Sequence, residues 1–244
     1  MHRAARTGRP VSAVAALSTS ALRRVVAEDA EHASGQPSLP DLFREQAMRG
    51  VRDLAPEYFE AVLRRALLSL GANTFLDDVV APLLVEIGDE WHEGHITVAH
   101  EHAASASLLQ LLGWMTRALQ VPGTAPKVVI ATPRGERHAF GAMMAAAAAA
   151  HDGWHVTWLG ADIPAAQVAA GAAQGGARAV AMSAASSVDG LQREMTQLRS
   201  LLPTHVPLML GGAGSETLAG IRGVTVVRDL SHWRALLGVH AVAA

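Results

Sequence analysis

The feature that most constrains this chain is the regular alternation of short apolar runs with helix-length segments over its second half. Five apolar runs occur there, at residues 127–132, 155–160, 178–183, 207–212 and 224–227. The segments between them favour helices, near 139–151, 164–175, 188–202 and 215–221. This alternation is typical of a parallel sheet with helices on both faces. Residues 122–244 are therefore predicted to form a doubly wound, Rossmann-like or flavodoxin-like domain, which binds ligands at the carboxyl ends of its strands.

Residues 41–121 show helical periodicity instead. Apolar residues from Phe59 to Leu70 fall on one helix face, as in an amphipathic helix. A further apolar segment over 75–91 contains Pro82, which is expected to kink or divide that helix. A last helix is predicted over 97–119. This part of the chain is interpreted as a four-helix-bundle cap that precedes the α/β domain.

Residues 1–40 are interpreted as a helical appendage and linker. Two short helices are predicted over 11–28, and residues 29–40 are rich in Gly, Ser, Pro and acidic side chains, which is linker composition. Neither a signal peptide nor a membrane-spanning segment is found, so a cytoplasmic protein is expected. The chain has no cysteine and a net charge of −2. Disulfides, thiolate metal sites and a general attraction to nucleic acid are therefore not expected.

Candidate chemistry begins where the first strand of the α/β domain ends. Glu136, His138 and Gly141 occur there in the spacing Glu-x-His-x-x-Gly. A carboxylate next to an imidazole can accept the proton of one ring nitrogen, which makes the other nitrogen a better metal ligand. Glycine permits close approach of something bulky. Taken alone, this motif is more often a polar loop than a ligand site.

Small residues follow at the same edge of the predicted sheet. After Gly141, 41 residues precede Ser183 at the end of the third strand, and Gly211 and Gly212 close the fourth strand. The carboxyl ends of parallel strands meet at one edge, so these residues are expected to leave a slot beside His138.

The joint spacing of these residues resembles the cobalamin-binding domain family, whose pattern is Asp/Glu-x-His-x-x-Gly, Ser-x-Leu and Gly-Gly. The resemblance implies that cobalamin binds base-off, with its dimethylbenzimidazole tail in the slot and His138 as the lower cobalt ligand. It implies that Glu136 orients His138 and that the slot is lined by Gly141, Ser183, Gly211 and Gly212. Ala185 stands where the family usually has leucine.

The helical half carries a second motif, in which Trp91 and His92 are followed by Glu101 and His102. One interpretation of the histidines in this stretch is that they are solvated residues at helix ends, or at most an adventitious zinc site. The spacing resembles the cap of the B12-dependent photoreceptor transcription factors. That resemblance implies that Trp91, Glu101 and His102 surround the adenosyl group of adenosylcobalamin. It also implies that His92 becomes the upper cobalt ligand after light has expelled that group.

The function expected from both resemblances is a stand-alone B12-dependent photoreceptor. The MerR-like DNA-binding domain of the transcription factors has no counterpart here, so direct sequence-specific DNA binding and enzymatic activity are not expected. Output through a homo-oligomer or an unidentified protein partner is expected instead. Similarity to the photocobilins implies a second, noncovalent bilin such as biliverdin. The alternatives are a corrinoid methyl-carrier subunit and a mutase subunit, and the latter requires a substrate barrel for which 244 residues have no room.

Overall fold

The structure, a computed structural model, describes residues 37–118, 121–186, 189–218 and 220–242. The chain divides into two compact units, residues 1–42 and 43–244. The helices predicted over 11–28 lie outside the described residues, as does most of the predicted linker. In the first unit, Ser38 caps the start of a helix: its hydroxyl donates to Asp41 Oδ2 at 2.6 Å, and the Asp41 amide donates to Ser38 Oγ at 3.3 Å.

The cap consists of helices, as predicted. Its four main helices are α1 (Leu39–Arg52), α2 (Pro56–Leu70), α3 (Ala81–His92) and α4 (Val98–Ala118). A helical turn, Ala72–Thr74, and a π-helix, Phe75–Val80, lie between α2 and α3. The break expected near Pro82 is thus a π-helix that precedes the proline, which itself lies in the first turn of α3. Proline is tolerated at that position because its missing N–H has no partner there.

The second half contains the predicted parallel sheet. Its strands are β1 (Lys127–Ala131), β2 (His155–Trp158), β3 (Ala179–Ser183), β4 (Leu208–Gly211) and β5 (Val224–Val227). All neighbouring strands pair in parallel, in the order β2-β1-β3-β4-β5. This is the flavodoxin-like order, and its switch point lies between β1 and β3. The predicted fold class is confirmed.

The helices of this half are α5 (Phe140–His151), α6 (Ala165–Gly175), α7 (Leu191–Leu201) and α8 (Leu230–Val242). One face of the sheet shares a core with α5, α8 and the cap, in which α4 packs along α5. The other face packs against α6 and α7. The alanine-rich sequence of α5 explains its position, because a helix with small side chains can lie closely between two neighbours.

Two elements of this half differ from what the sequence predicted. The segment predicted as a helix over 215–221 contains a 3-10 helix, Ala213–Leu218, which follows a close approach of Gly212 and Gly214 to the backbone of residues 184–186. Helix α8 was not predicted at all. Within the described ranges, no helix is long and apolar enough to cross a membrane.

Candidate functional site

His138 lies in the loop between β1 and α5, where its imidazole is held by Glu136. Oε1 of Glu136 accepts hydrogen bonds from the His138 amide at 2.8 Å and from His138 Nδ1 at 2.7 Å. Because Nδ1 donates, Nε2 keeps its lone pair. The His138 side chain is 73% exposed, whereas that of Glu136 is 1% exposed. The imidazole is therefore fixed in its tautomer and open to a metal on the Nε2 side.

The second oxygen of Glu136 ties this loop to the loop after β3. Oε2 accepts from the Ala185 amide at 2.9 Å, the Ser186 amide at 3.1 Å and the Ser186 hydroxyl at 3.2 Å. Burial raises the pKa of Glu136, but the amides of His138 and Ser186 and the His138 imidazole outweigh burial and lower the pKa overall. Glu136 is thus ionised at neutral pH and connects two strand ends.

Asp162, to which the sequence assigns no role, shapes the same loop from the end of β2. Its backbone has a φ of 61°. Its carboxylate accepts from the Gly135 amide at 2.7 Å, and its own amide donates to Thr132 Oγ1 at 2.9 Å. The Thr132 hydroxyl in turn donates to the Glu136 carbonyl at 2.5 Å. Asp162 therefore fixes the loop that presents His138.

The predicted slot is present at the carboxyl ends of β3 and β4. It is a cavity of about 190 Å³ whose lining includes four predicted residues, Gly141, Ser183, Gly211 and Gly212. Ser183 and Gly211 are paired across the two strands. A Cβ at Gly141 would lie 2.6 Å from Ser183 Oγ, so only glycine fits there without displacing the serine. The small residues therefore create this space.

Gly212 has a structural reason of its own to be glycine. Its φ is 91°, and a Cβ there would lie 2.2 Å from the Ala184 carbonyl oxygen. This conformation and this close contact both exclude a side chain. The neighbouring Gly211 is different, because its nearest contact would be Val227 Cβ at 3.6 Å.

Several walls of the slot were not predicted. They belong to α5, to the strands and to α8, and they are Met144, Ala145, Ala181, Met209, Val227, Leu230 and Trp233. The indole of Trp233 is 2% exposed and donates from Nε1 to the Ala145 carbonyl at 3.0 Å. Asp229 begins α8 by accepting from the His232 amide at 2.7 Å. Asp is a preferred residue at the position just before a helix. Asp229 in the sequence was therefore a signal for the start of α8, the helix that carries Trp233.

In the cap, Trp91 and His92 form the last turn of α3. Their rings meet edge to face, with centroids 4.8 Å apart and an interplanar angle of 68°. His92 Nδ1 lies 2.7 Å from the Gly88 carbonyl, which can only accept, so Nδ1 donates and Nε2 keeps its lone pair. Trp91 is 42% exposed. The Trp91 indole and the His92 imidazole, whose Nε2 is available to a metal, thus lie together at the end of one helix.

Glu101 and His102 lie near the start of α4, nine and ten residues after His92. Glu101 accepts from Ser105 Oγ at 2.5 Å through one oxygen and contacts His102 Nδ1 through the other. The His102 side chain is 74% exposed. The predicted residues thus lie in two parts of the structure, and in the cap the contacts pair Trp91 with His92 and Glu101 with His102. One part is the α/β domain, and the other consists of consecutive helix ends of the cap.

The donor set and the cavity fit a corrinoid with a detached base. An imidazole fixed by a buried carboxylate is a suitable cobalt ligand. The Ser183 side chain is buried and makes no hydrogen bond within the described residues, so its hydroxyl is available inside the slot. A cavity of roughly 150 Å³ admits a benzene ring, and the slot is larger. Among the described residues, no cluster of three or more His, Cys or acidic side chains could hold a metal ion.

Comparison with known families gives the same assignment. Two family models, both described as a B12 binding domain, match residues 126–228 and residues 44–115. Between them they cover the sheet with its slot and most of the cap. The chain belongs to the B12-binding family. Cobalamin is therefore its ligand class.

Curated relatives of this B12-binding protein are repressors from Myxococcus xanthus. The chain is 27% identical over 238 residues to the HTH-type transcriptional repressor CarH, covering 95% of this chain and 79% of CarH. It is 30% identical over 176 residues to the HTH-type transcriptional repressor CarA, covering 71% of this chain and 59% of CarA. These similarities confirm the resemblance to the B12-dependent photoreceptor family.

A solved structure supports the fold of the B12-binding chain. The monomethylamine corrinoid protein of Methanosarcina barkeri matches with a TM-score of 0.59 at 16% identity, over 80% of this chain and 94% of that protein. At this level of identity the match concerns the fold alone.

Proposed function

We propose that this chain is a light sensor that binds adenosylcobalamin between its cap and its α/β domain. The observation that supports this most is a pair of histidines, one in each half. His138 and His92 both donate through Nδ1, to Glu136 and to the Gly88 carbonyl respectively, and both keep Nε2 as a lone-pair donor. A carrier that needs only a lower ligand has no use for the second imidazole.

In this proposal the α/β domain holds the cofactor permanently. His138 would hold cobalt through Nε2, and Glu136 would keep the imidazole in its orientation. The slot lined by Ser183, Gly211 and Gly212 takes the dimethylbenzimidazole tail. When bound, adenosylcobalamin supplies a cobalt–carbon bond that visible light breaks.

The cap carries the light-dependent contacts in this proposal. The Trp91 indole covers the adenosyl group, while the Glu101 carboxylate and the His102 imidazole can hydrogen-bond to its hydroxyl and amino groups. His92 is the residue we expect to bind cobalt once the adenosyl group is gone. A switch requires a ligand contact that differs between two states, and the exchange of these cap contacts provides it.

The output of the sensor is also part of the proposal. The relatives are transcriptional repressors, and this chain covers only 59% of CarA. We propose that light alters self-association or a contact with a protein partner and thereby affects transcription. A noncovalent bilin stays a prediction from the photocobilin resemblance, since no described residue is assigned to it.

The alternative is a corrinoid methyl carrier. Such a carrier must open its upper face to methyltransferases, and a methyl group offers no hydrogen-bonding atoms to Glu101 and His102. The two readings differ in ligand preference. A sensor binds adenosylcobalamin more tightly than methylcobalamin, and a carrier does not.

Absorption spectra of the purified protein with adenosylcobalamin test the proposal. We expect a base-off, histidine-ligated spectrum in darkness and an irreversible change under green light. His138→Ala should weaken dark binding by more than about 100-fold, whereas His205→Ala, an exposed histidine in the α7–β4 loop, serves as its control. A light-stable spectrum, or unchanged binding by His138→Ala, would contradict the proposal.

His92 is tested separately. His92→Ala should bind adenosylcobalamin in darkness like the parent and give a different spectrum after illumination. His95→Ala is the matched control, because His95 lies three residues away, is 61% exposed and pairs with Glu90 and Glu93. An illuminated spectrum that is identical for His92→Ala and the parent would remove His92 from the mechanism.

A further inference from the structure

We infer that Asp162 is a positioning residue for the lower cobalt ligand, because it holds the backbone that leads to His138 in one conformation. This inference rests on the part of the proposed function in which His138 binds cobalt. Asp162 lies in the loop that follows β2, outside the motifs that point to the cobalt site.

The pairing between β1 and β2 continues past the ends of both strands. The Thr132 amide donates to the Gly160 carbonyl at 3.2 Å, and the Ile163 amide donates to the Thr132 carbonyl at 3.0 Å. Thr132 is fully buried, so this extension of the pairing is anchored in the core. The sheet therefore places Asp162 beside the loop that carries the lower ligand.

Asp162 holds that loop at two successive residues. Its carboxylate accepts from the Gly135 amide at 2.7 Å, and its own amide donates to the Glu136 carbonyl at 3.0 Å. The same amide also donates to Thr132 Oγ1 at 2.9 Å. The Glu136 carboxylate orients the His138 side chain, whereas Asp162 fixes the backbone from which that side chain starts. The two acidic residues thus restrain different parts of the ligand.

The backbone of Asp162 shows that this arrangement has a cost. Its φ of 61° lies in the left-handed region, which strains most side chains and which Asn and Asp tolerate better than others. Glycine would adopt this conformation freely, but it has no oxygen to accept from the Gly135 amide. Backbone strain persists where surrounding contacts hold it, and it is concentrated at functional sites. The carboxylate of Asp162 is the feature that a positioning role requires.

Electron paramagnetic resonance of the full-length protein loaded with cob(II)alamin tests this inference. A nitrogen ligand splits the cobalt signal, and labelling the histidines of the protein with ¹⁵N distinguishes an imidazole of the protein from the ¹⁴N base of the cofactor. Every protein in the series carries His92→Ala, so that His138 is the expected source of the ¹⁵N splitting. His138→Ala in this background provides the reference signal without that splitting.

Three substitutions at Asp162 separate its carboxylate from its backbone. We expect Asp162→Ala to lower the ratio of histidine-ligated to other cobalt at least about 10-fold, because a hydrogen bond to a charged acceptor contributes roughly that factor. Asp162→Asn keeps an acceptor oxygen and tolerates the left-handed backbone, so it should restore most of the ligated fraction. Asp162→Gly relieves the backbone but lacks the acceptor, and it should resemble Asp162→Ala.

Leu54→Gly is the matched control. Among the described residues, Leu54 is the other non-glycine residue with a positive φ, and it lies in the connection between α1 and α2. Relief of its backbone should leave the ligated fraction unchanged. Urea denaturation of each apoprotein shows whether the variants are folded, and we expect a single cooperative transition for all of them.

The outcomes separate this inference from the proposed function. A ligated fraction unchanged by Asp162→Ala would overturn the inference, and so would full ligation by Asp162→Gly, because the backbone conformation alone would then suffice. Weaker cobalamin binding by Asp162→Ala with an unchanged ligated fraction would indicate direct contact with the corrinoid and would overturn it as well. A light-stable adenosylcobalamin complex would contradict the sensor and leave this test intact. Absence of the ¹⁵N splitting in the protein with Asp162 unchanged would contradict both.

Discussion

Two groups of predicted site residues contain a glutamate and a histidine in very different surroundings. The lower group is Glu136 with His138 in the α/β domain, and the upper group is Glu101 with His102 in the cap. Below, the buried Glu136 carboxylate accepts five hydrogen bonds, from His138, Ala185 and Ser186. In the cap, the Glu101 carboxylate is 27% exposed, and its hydrogen-bond partners among the described residues are His102 and Ser105, both close to it on the same helix. One glutamate joins distant parts of the chain, and the other bonds, within that part of the structure, to its own helix.

If the chain is the light sensor proposed above, this difference assigns different tasks to the two halves. The Glu136 carboxylate is tied to the ends of two strands and cannot move without breaking its hydrogen bonds, so the His138 imidazole is held in one orientation. The Glu101 and His102 side chains, whose contacts lie within about one turn of α4, can change rotamer or partner at a small cost in free energy. We therefore expect substitutions in the lower group to reduce the free energy of unfolding strongly. Substitutions in the upper group should instead change how the protein binds and responds to its ligand.

The largest effect is expected at the slot, with Gly212→Ala. The added Cβ would lie 2.2 Å from the Ala184 carbonyl oxygen in a backbone with φ of 91°, so the loss in unfolding free energy should exceed about 3 kcal/mol. Gly88→Ala in α3 is the cap counterpart: it has open space and should be neutral or stabilise by up to about 1 kcal/mol. Urea denaturation measures both, and similar losses would remove the contrast between the halves.

Glu136→Gln should cost about 2–3 kcal/mol of unfolding free energy at pH 7, because an amide nitrogen would face donors where Oε2 now accepts. The lowered pKa of Glu136 stabilises the fold above the ordinary value of 4.5, and this contribution is lost as the pH falls through the lowered value. The parent should therefore lose more stability than Glu136→Gln between pH 5 and the acid limit. Parallel pH profiles of the two proteins would contradict this assignment.

A smaller effect on stability is expected from the ion pair between Arg52 and Glu90 in the cap. Arg52 donates to Glu90 at 2.8 Å and 3.2 Å and lowers the pKa of that carboxyl. The pair is partly exposed, so Arg52→Met should cost less than about 1 kcal/mol, and high salt should reduce the difference. Arg49→Met, which removes a looser pair at 3.8 Å with Glu45, is the control and should have almost no effect. A salt-independent loss would indicate that Arg52 acts through packing.

The smallest stability effect is expected at Glu101. Glu101→Gln should change the unfolding free energy by less than about 0.5 kcal/mol, yet weaken adenosylcobalamin binding relative to methylcobalamin in darkness. Glu93→Gln is the control, with a side chain that is 63% exposed in the connection between α3 and α4. Dark titrations with the two cobalamins measure the ratio. A ratio unchanged by Glu101→Gln would remove this carboxylate from the adenosyl contacts.

Local patterns allowed the sheet and the lower group to be predicted. Each apolar run became a strand, and the spacing of His138, Ser183 and Gly211 is meaningful because parallel strands end at one edge. The partners of Glu136 at Ala185 and Ser186 could not be predicted, because they depend on how two loops approach in space. Helix α8 was missed although Asp229 gives a start signal, and with it Trp233 at the wall of the slot.

The contact between Trp233 and Ala145 also bears on when the protein can acquire its ligand. The slot has walls from α5, from three strands and from α8, and α8 is the last described helix. During synthesis on the ribosome, the cap and β1 emerge long before the helix that completes this wall. The slot is therefore incomplete until α8 has been synthesised and has packed against α5 through Trp233.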